Sequence, residues 1–324
     1  MSTSSSDGLG WLTGSAAVFR SSDRVVHVRG DDARSWLNGQ ISNDVRSLPP
    51  DTARYALLLT VKGRVVSDLW ALDAADGMAL VLPIVRADAA LERFDKHIIM
   101  EDVELQPDPD LVVLTVQGPR AAEVVEAASD AVRRYAAPRL GGVGFDVWVP
   151  ASEAARALDV LATKAAAIGG GQLDEIGWAR AHVTLGVPRV SADFGEDSYP
   201  QEAGLGARAM SFEKGCYTGQ EVVYMLERRG QLGRRLVQLE GSAVDTEGRA
   251  IEGAPLVDAD GKKLGELTSF SLVSGDDVVG EQVAARALAL GYLKRQAAEP
   301  GQTVWVAGSP WRVRRVVGGP ETSV

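Results

Sequence analysis

The chain contains a single cysteine, and it stands in the run Lys214-Gly215-Cys216-Tyr217-Thr218-Gly219-Gln220-Glu221. A lone thiol has no internal disulfide partner, so its chemistry is that of a nucleophile, a sulfur relay or one ligand among several. It cannot hold an iron–sulfur cluster by itself, because clusters generally need four ligands. Gly215 and Gly219 keep bulk away from the sulfur and permit a tight turn or a close approach. Lys214 supplies positive charge that favours a thiolate, and a helix starting near Gly219-Gln220-Glu221 would aim its amino-terminal dipole at the same loop. Tyr217 offers a flat face and Gln220 an amide. The opposite reading is a buried cysteine packed as a small apolar residue, the commoner fate of free cysteines. Residue types alone leave both open.

Other chemistries are excluded or weak. His27, His97 and His182 are scattered, so this chain offers no Cys/His pattern for a metal site. No phosphate-binding G-x-x-x-x-G-K-[ST] run occurs, and the glycine clusters lack the strand-to-helix context of a dinucleotide fold. The formal net charge of −10 argues against generic binding to nucleic acid or to an anionic membrane. Arg228, Arg229, Arg234 and Arg235 form one local basic group, which could hold an anionic ligand or simply be the solvated ends of a helix and a strand. No stretch approaches the roughly 18 apolar residues that span a bilayer. The opening MSTSSSD lacks a basic start and an apolar run, so a frayed tail is expected rather than a signal peptide, and a reducing cytoplasm with it.

The elements that must position these groups follow from pattern. Arg24 to Val28 has strand character, Gly30-Asp31-Asp32 is a turn and cap, and Ala33 to Asn38 is a helix. Tyr55 to Val61 and Val65 to Leu72 flank Lys62-Gly63-Arg64 as a hairpin, and Met78 to Pro83 follows Gly77. Arg86 to Phe94 has helical spacing, and His97 to Leu105 is a strand candidate. The strand–glycine–helix plan of residues 27–33 returns at residues 115–121, with a strand at Phe145 to Val149, a helix over Ser152 to Ile168 and a stop at Gly169-Gly170-Gly171. Beyond Gly230-Gln231-Leu232-Gly233 come six short strand candidates: 236–239, 255–257, 263–271, 287–293, 303–306 and 312–317. Gly275 to Gln282 is expected as a mobile polar loop. The expectation is an α+β chain: a ferredoxin-like or α+β lobe over residues 14–107, a second over 108–230 carrying the cysteine motif, and an antiparallel β-barrel over 231–324.

Lys214 to Glu221 resembles the signature of the YgfZ family, folate-binding proteins related to the aminomethyltransferase (T-protein) of the glycine cleavage system. Residues 30–33 and 36–45, the hairpin residues 63–69, Gly186-Val187-Pro188 and Pro200-Gln201-Glu202 are similar to other family segments and fall in the same order. The resemblance implies three lobes around a central opening that holds tetrahydrofolate, and assistance to iron–sulfur client or assembly proteins. It implies that Cys216 is the functional thiol, with Lys214, Tyr217 and Gln220 beside it as folate-binding residues. It also implies that Trp178 contacts folate, where an indole face can stack on a pterin, and that Asp68 works near the folate nitrogens. The alternatives for these two are a core tryptophan and an exposed strand residue. The chain departs from the pattern at Thr184, where the superfamily's folate enzymes commonly have a glutamate, and at Met225, where the YgfZ pattern often has arginine. A hydroxyl cannot supply two anionic acceptors, so a pterin loses charge-assisted hydrogen bonds worth roughly 1.5–3 kcal/mol each. Two other functions therefore stand beside the first: a tetrahydrofolate-dependent one-carbon transferase, and a binding module that kept the fold and lost the folate.

Overall fold

The computed structural model describes residues 8–128, 132–242, 252–273 and 286–319; the MSTSSSD tail and the loop expected at Gly275 to Gln282 lie outside the described residues. The chain runs through α1 (Gly8–Gly14), β1 (Ala17–Arg20), β2 (Arg24–Arg29), α2 (Ala33–Gln40), β3 (Arg54–Leu59), β4 (Val65–Ala74), β5 (Gly77–Leu82), α3 (Ile84–Asp95) and β6 (Glu104–Asp108). It continues through β7 (Leu111–Gln117), α4 (Ala121–Val125), β8 (Arg133–Ala136), β9 (Gly144–Pro150), α5 (Ala154–Ala167), β10 (Gly171–Gln172) and α6 (Glu175–Leu185). Two helices, α7 (Gly206–Ala209) and α8 (Gln220–Arg229), precede the last six strands. These are β11 (Arg234–Ser242), β12 (Pro255–Val257), β13 (Lys263–Val273), β14 (Arg286–Lys294), β15 (Thr303–Val306) and β16 (Ser309–Val316).

Strands β3-β4-β5-β2-β6 form one sheet and β10-β1-β7-β9-β8 the other, while β11-β14-β13-β12-β15-β16 close into a barrel. The expected α+β class with a carboxy-terminal antiparallel barrel is the class observed. Strands β3 and β5 are buried along nearly their whole length because both faces of their sheet are covered. Ala56, Leu58 and Leu80 pack under Trp36, Leu37 and Phe94 of α2 and α3. Leu57, Leu59, Trp70 and Val81 face the second sheet, where Val113, Tyr135 and Trp148 meet them. The second sheet's far face packs Val116, Val147 and Val149 against Leu161 and Ala165 of α5. Two helix layers therefore enclose two sheets that share one apolar seam. The repeat read in the sequence has a backbone cause: Gly30 (φ +107) and Gly118 (φ +128) each turn a strand into a helix where a Cβ would strike a carbonyl oxygen, at 2.0 Å from Asp102 and 2.5 Å from Ser15.

Three expectations change. The expected lobe over residues 14–107 includes residues 17–20, but β1 pairs with β7 and β10 of the second sheet. A helix, α1, begins at Gly8, ahead of the expected lobe start at residue 14, and its Trp11 lies where a Cβ on Gly171 would come within 2.5 Å of the ring. The strand expected from His97 begins only at Glu104. The carboxylate of Glu101 accepts from the amides of Ile99 and Met100, which closes a local turn and leaves both side chains exposed.

Under the seam lies a charge cluster. Arg139 makes paired bonds to Asp146 (2.8 and 2.7 Å) and a third to Asp23 (2.7 Å), with the Asp146 side chain almost fully buried. Removing one partner of such a cluster leaves a buried charge with one counter-ion fewer. Asp146→Ala is expected to lower unfolding free energy by about 3–5 kcal/mol, read from urea unfolding curves.

Candidate functional site

The cysteine motif is built by three segments far apart in sequence. Helix α2 ends at Gln40, leaving carbonyls with no helical partner. The Lys214 ammonium donates to three carbonyls in this region, of Asn38 (2.5 Å), Ile41 (2.8 Å) and Asn43 (2.7 Å). Burial pulls this lysine down to about 7, against the pull of the Asp44 carboxylate. Its hydrogen-bonding capacity is thus spent on the first lobe's backbone. The Thr218 amide donates to Gly39 O, and Ser42 bridges the Leu57 amide to the Ala209 carbonyl. Gly219, at φ +80, lets the motif press on the β3–β4 turn, where a Cβ would lie 2.5 Å from Thr60 O.

Between these anchors the loop carries Cys216 outward, and the thiol is exposed. Tyr217 points the other way, into the seam with Leu57, Leu59 and Val223, and burial pushes its hydroxyl up to about 12. Gln220 opens α8 half-buried. In the basic group named earlier, Arg234 is held by Glu202 (3.4 Å) and Asp197 (3.2 Å), and Arg228 lies over the Tyr224 ring.

A second feature occupies the space between the two sheets: a cavity of about 420 Å³. Asp68 and Trp178 both line it, while Cys216, Lys214, Tyr217 and Gln220 are not among its lining residues. Asp68 accepts from the Tyr55 hydroxyl through Oδ2 (2.8 Å), and its Oδ1 is buried without a hydrogen-bond partner. Burial raises this carboxyl to about 6, opposed by the Tyr55 hydrogen bond and assisted by Asp23. Trp178 has one face stacked on Phe19 at 4.7 Å and meets His182 at 81°. Thr184, at the superfamily's usual glutamate position, does not line the cavity; its hydroxyl donates to the Arg180 carbonyl (2.8 Å).

The cavity also holds residues that sequence reasoning passed over. His182 lies one helical turn from Trp178, an i,i+4 spacing that places both on one face of α6 and was readable. Its Nδ1 lies 3.0 Å from Val187 O, and burial takes it down to about 3, so the ring is neutral with Nε2 left as an acceptor. Arg139 and Arg208 line the cavity too, with Arg208 reaching the Pro138 and Arg139 carbonyls and lying over the Tyr55 ring. Among the described residues no cluster of His, Cys, Asp and Glu is arranged to hold a metal, and no helix is long and apolar enough to cross a membrane.

Two measurements check this geometry. Asp68 binds its proton more tightly folded than unfolded, so its contribution to stability is present below about pH 4 and lost as pH rises through about 6. Asp68→Asn is expected to flatten that segment of the stability–pH curve and to raise stability at pH 7 by about 2 kcal/mol. Gly219→Ala should cost about 1–3 kcal/mol, because it combines a left-handed backbone with a clash. Gly215→Ala, with open space around its Cβ position, should stay within about 0.5 kcal/mol of wild type. Thermal and urea unfolding read both.

Residues 16–138 match the GCVT N-terminal domain. The chain is 30% identical over 223 residues to the tRNA-modifying protein YgfZ of Vibrio vulnificus, covering 67% of this chain and 68% of that protein. It is 27% identical over 289 residues to the tRNA-modifying protein YgfZ of Vibrio atlanticus, covering 87% of each. Its fold is similar to that of the glycine cleavage system aminomethyltransferase T from Bartonella henselae, with a TM-score of 0.80 at 20% identity over 96% of this chain and 88% of that one. The chain therefore belongs to the YgfZ family and has an aminomethyltransferase-like fold.

Proposed function

We propose that the cavity between the sheets binds a tetrahydrofolate, and that the protein is a folate-dependent accessory in iron–sulfur cluster assembly or repair, with Cys216 as its functional thiol. The observation that carries the ligand reading is the unpartnered Oδ1 of Asp68, a buried acceptor on a residue that lines a cavity of ligand size. A pterin bears ring N–H and amino donors that such an oxygen would satisfy. With Thr184 turned to its own helix, the lining offers a pterin other acceptors, among them Asp68, the neutral His182, Asp23 and Glu175. Trp178 offers the cavity an indole already braced by Phe19, which supports a wall contact more than a sandwich. The folate would supply a one-carbon or redox-active pterin; this chain's residues bind it, orient it and keep water from its inner edge.

The thiol faces solvent rather than the cavity lining, so in this reading it meets a partner protein. The Vibrio relatives are described as tRNA-modifying proteins. With a net charge of −10, this chain is a poor electrostatic match for RNA phosphates, so we place its contribution to tRNA modification upstream, through an iron–sulfur client enzyme. An exposed free thiol fits a reducing cytoplasm. One observation favours a second reading, a one-carbon transferase: a carboxyl held near pH 6 beside Tyr55 is suited to moving a proton at neutral pH. Formation of methylene-tetrahydrofolate from tetrahydrofolate and an aminomethyl thioether, whose carbon is already at the formaldehyde level, with release of ammonia and the thiol, would establish it.

Calorimetry with tetrahydrofolate tests the ligand. Wild type should bind with a Kd of roughly micromolar order, and Asp68→Ala should weaken binding about tenfold or more, the loss of one hydrogen bond to a charged group. Absence of binding leaves the fold without its folate. Cys216→Ser should bind folate normally yet fail to sustain iron–sulfur enzyme activities in cells under oxidative stress. Normal activities in that strain would remove the accessory role.

A further inference from the structure

Helix α6 has two working faces. Glu175, Trp178 and His182 line the cavity between the sheets, while Ile176, Ala179 and Arg180 line a second, open hollow of about 480 Å³ against the barrel. Phe270, Ser271 and Leu272 of β13 complete that hollow, and Glu175 and Arg189 line both spaces. The two are thus neighbours across one residue pair. The hollow's guanidiniums are unspent: among the described residues neither Arg180 nor Arg189 has a side-chain hydrogen bond or ion pair, and the Nε of Arg189 is buried without a partner. Glu175 is the single acid among the residues that line it, so the cations outnumber the anion. Its apolar side is unusually bare, with Ile176 62% and Leu272 49% exposed.

We propose that this hollow is a binding subsite for a carboxylate-bearing chain that leaves the first cavity past Glu175 and Arg189. For the ligand proposed above, and resting on that reading, the chain is the γ-linked glutamyl tail of a polyglutamylated folate. Planar guanidinium forks match carboxylates in geometry as well as charge, and an unpaired buried Nε gains a partner it lacks in the free protein. Ile176, Phe270 and Leu272 cover the methylene segments between the carboxylates. Specificity for long-tailed folates then resides in Arg180, away from the pterin.

Binding of monoglutamyl and tetraglutamyl tetrahydrofolate to wild type and to Arg180→Gln tests this, with p-aminobenzoyl-tetraglutamate as a probe that lacks the pterin. Wild type should bind the tetraglutamyl form about tenfold or more tightly than the monoglutamyl form, a preference that weakens with added salt. Arg180→Gln should lose most of that preference and bind the monoglutamyl form as wild type does. Equal affinities for the two forms in wild type, or a preference that survives Arg180→Gln, overturn the inference. If neither folate binds, the cavity reading is what fails, and the pterin-free probe decides for the hollow. Saturable binding that Arg180→Gln abolishes supports the subsite, and no binding, or binding indifferent to the substitution, overturns it.

Discussion

One ammonium group holds the signature in place. Lys214 meets the backbone where α2 ends, a place where carbonyls lack helical partners, and satisfies three of them at once. Those carbonyls belong to the first lobe, whereas Lys214 follows the second, so the interaction fixes the two to each other at a distance of more than 170 residues along the chain. Without it, the end of this helix would carry unmet acceptors, each costing about 1–3 kcal/mol. With it, the loop is anchored on both sides of its crest, at Lys214 and Thr218, and the crest is where the exposed Cys216 stands. Gly219 completes the arrangement from the other side by resting on the β3–β4 turn.

The same economy shapes the cavity. Its charged floor is compensated within the protein, since Arg139 is claimed by Asp23 and Asp146, and Arg208 by two carbonyls and the Tyr55 ring. Asp68 is the exception, satisfied by Tyr55 at Oδ2 and left without a partner at its buried Oδ1. A buried carboxylate short of partners is unfavourable in the free protein, and proteins retain such groups where a ligand completes them. Cavity and thiol are separate places joined by the packed seam, in which Tyr217 below the thiol lies with Leu57, Trp70 and Val81.

Much of this was readable from the chain. All six barrel strands and the β3–β4 hairpin announced themselves through apolar runs set between glycine and proline turns, since those signals are local. The signature's eight residues pointed to the thiol and, by resemblance, to Asp68 and Trp178, both of which line one cavity. The partner of Ala17–Arg20 was not readable, because a strand's residues say that it will pair and not with which neighbour. Arg139 was missed for a similar reason: its counter-ions stand at 23 and 146, and nothing near residue 139 names them. Lys214 was read as a charge for the sulfur because proximity in sequence was the available guide. Folding directs its long side chain away to the end of another helix.

Strand β1 carries one further consequence. It pairs antiparallel with β7, and Ser21 donates to Val113 O where the chain departs for residues 21–110, so that entire unit leaves and returns through adjacent strands. During synthesis β1 emerges first and has no neighbour until the inserted unit has been made and β7 follows it. The inserted sheet, whose strands pair among themselves, has all its own partners in hand while β1 still waits. The topology thus lets the insert consolidate first, with its closely spaced ends bringing β1 and β7 together before β10 joins the other edge of β1.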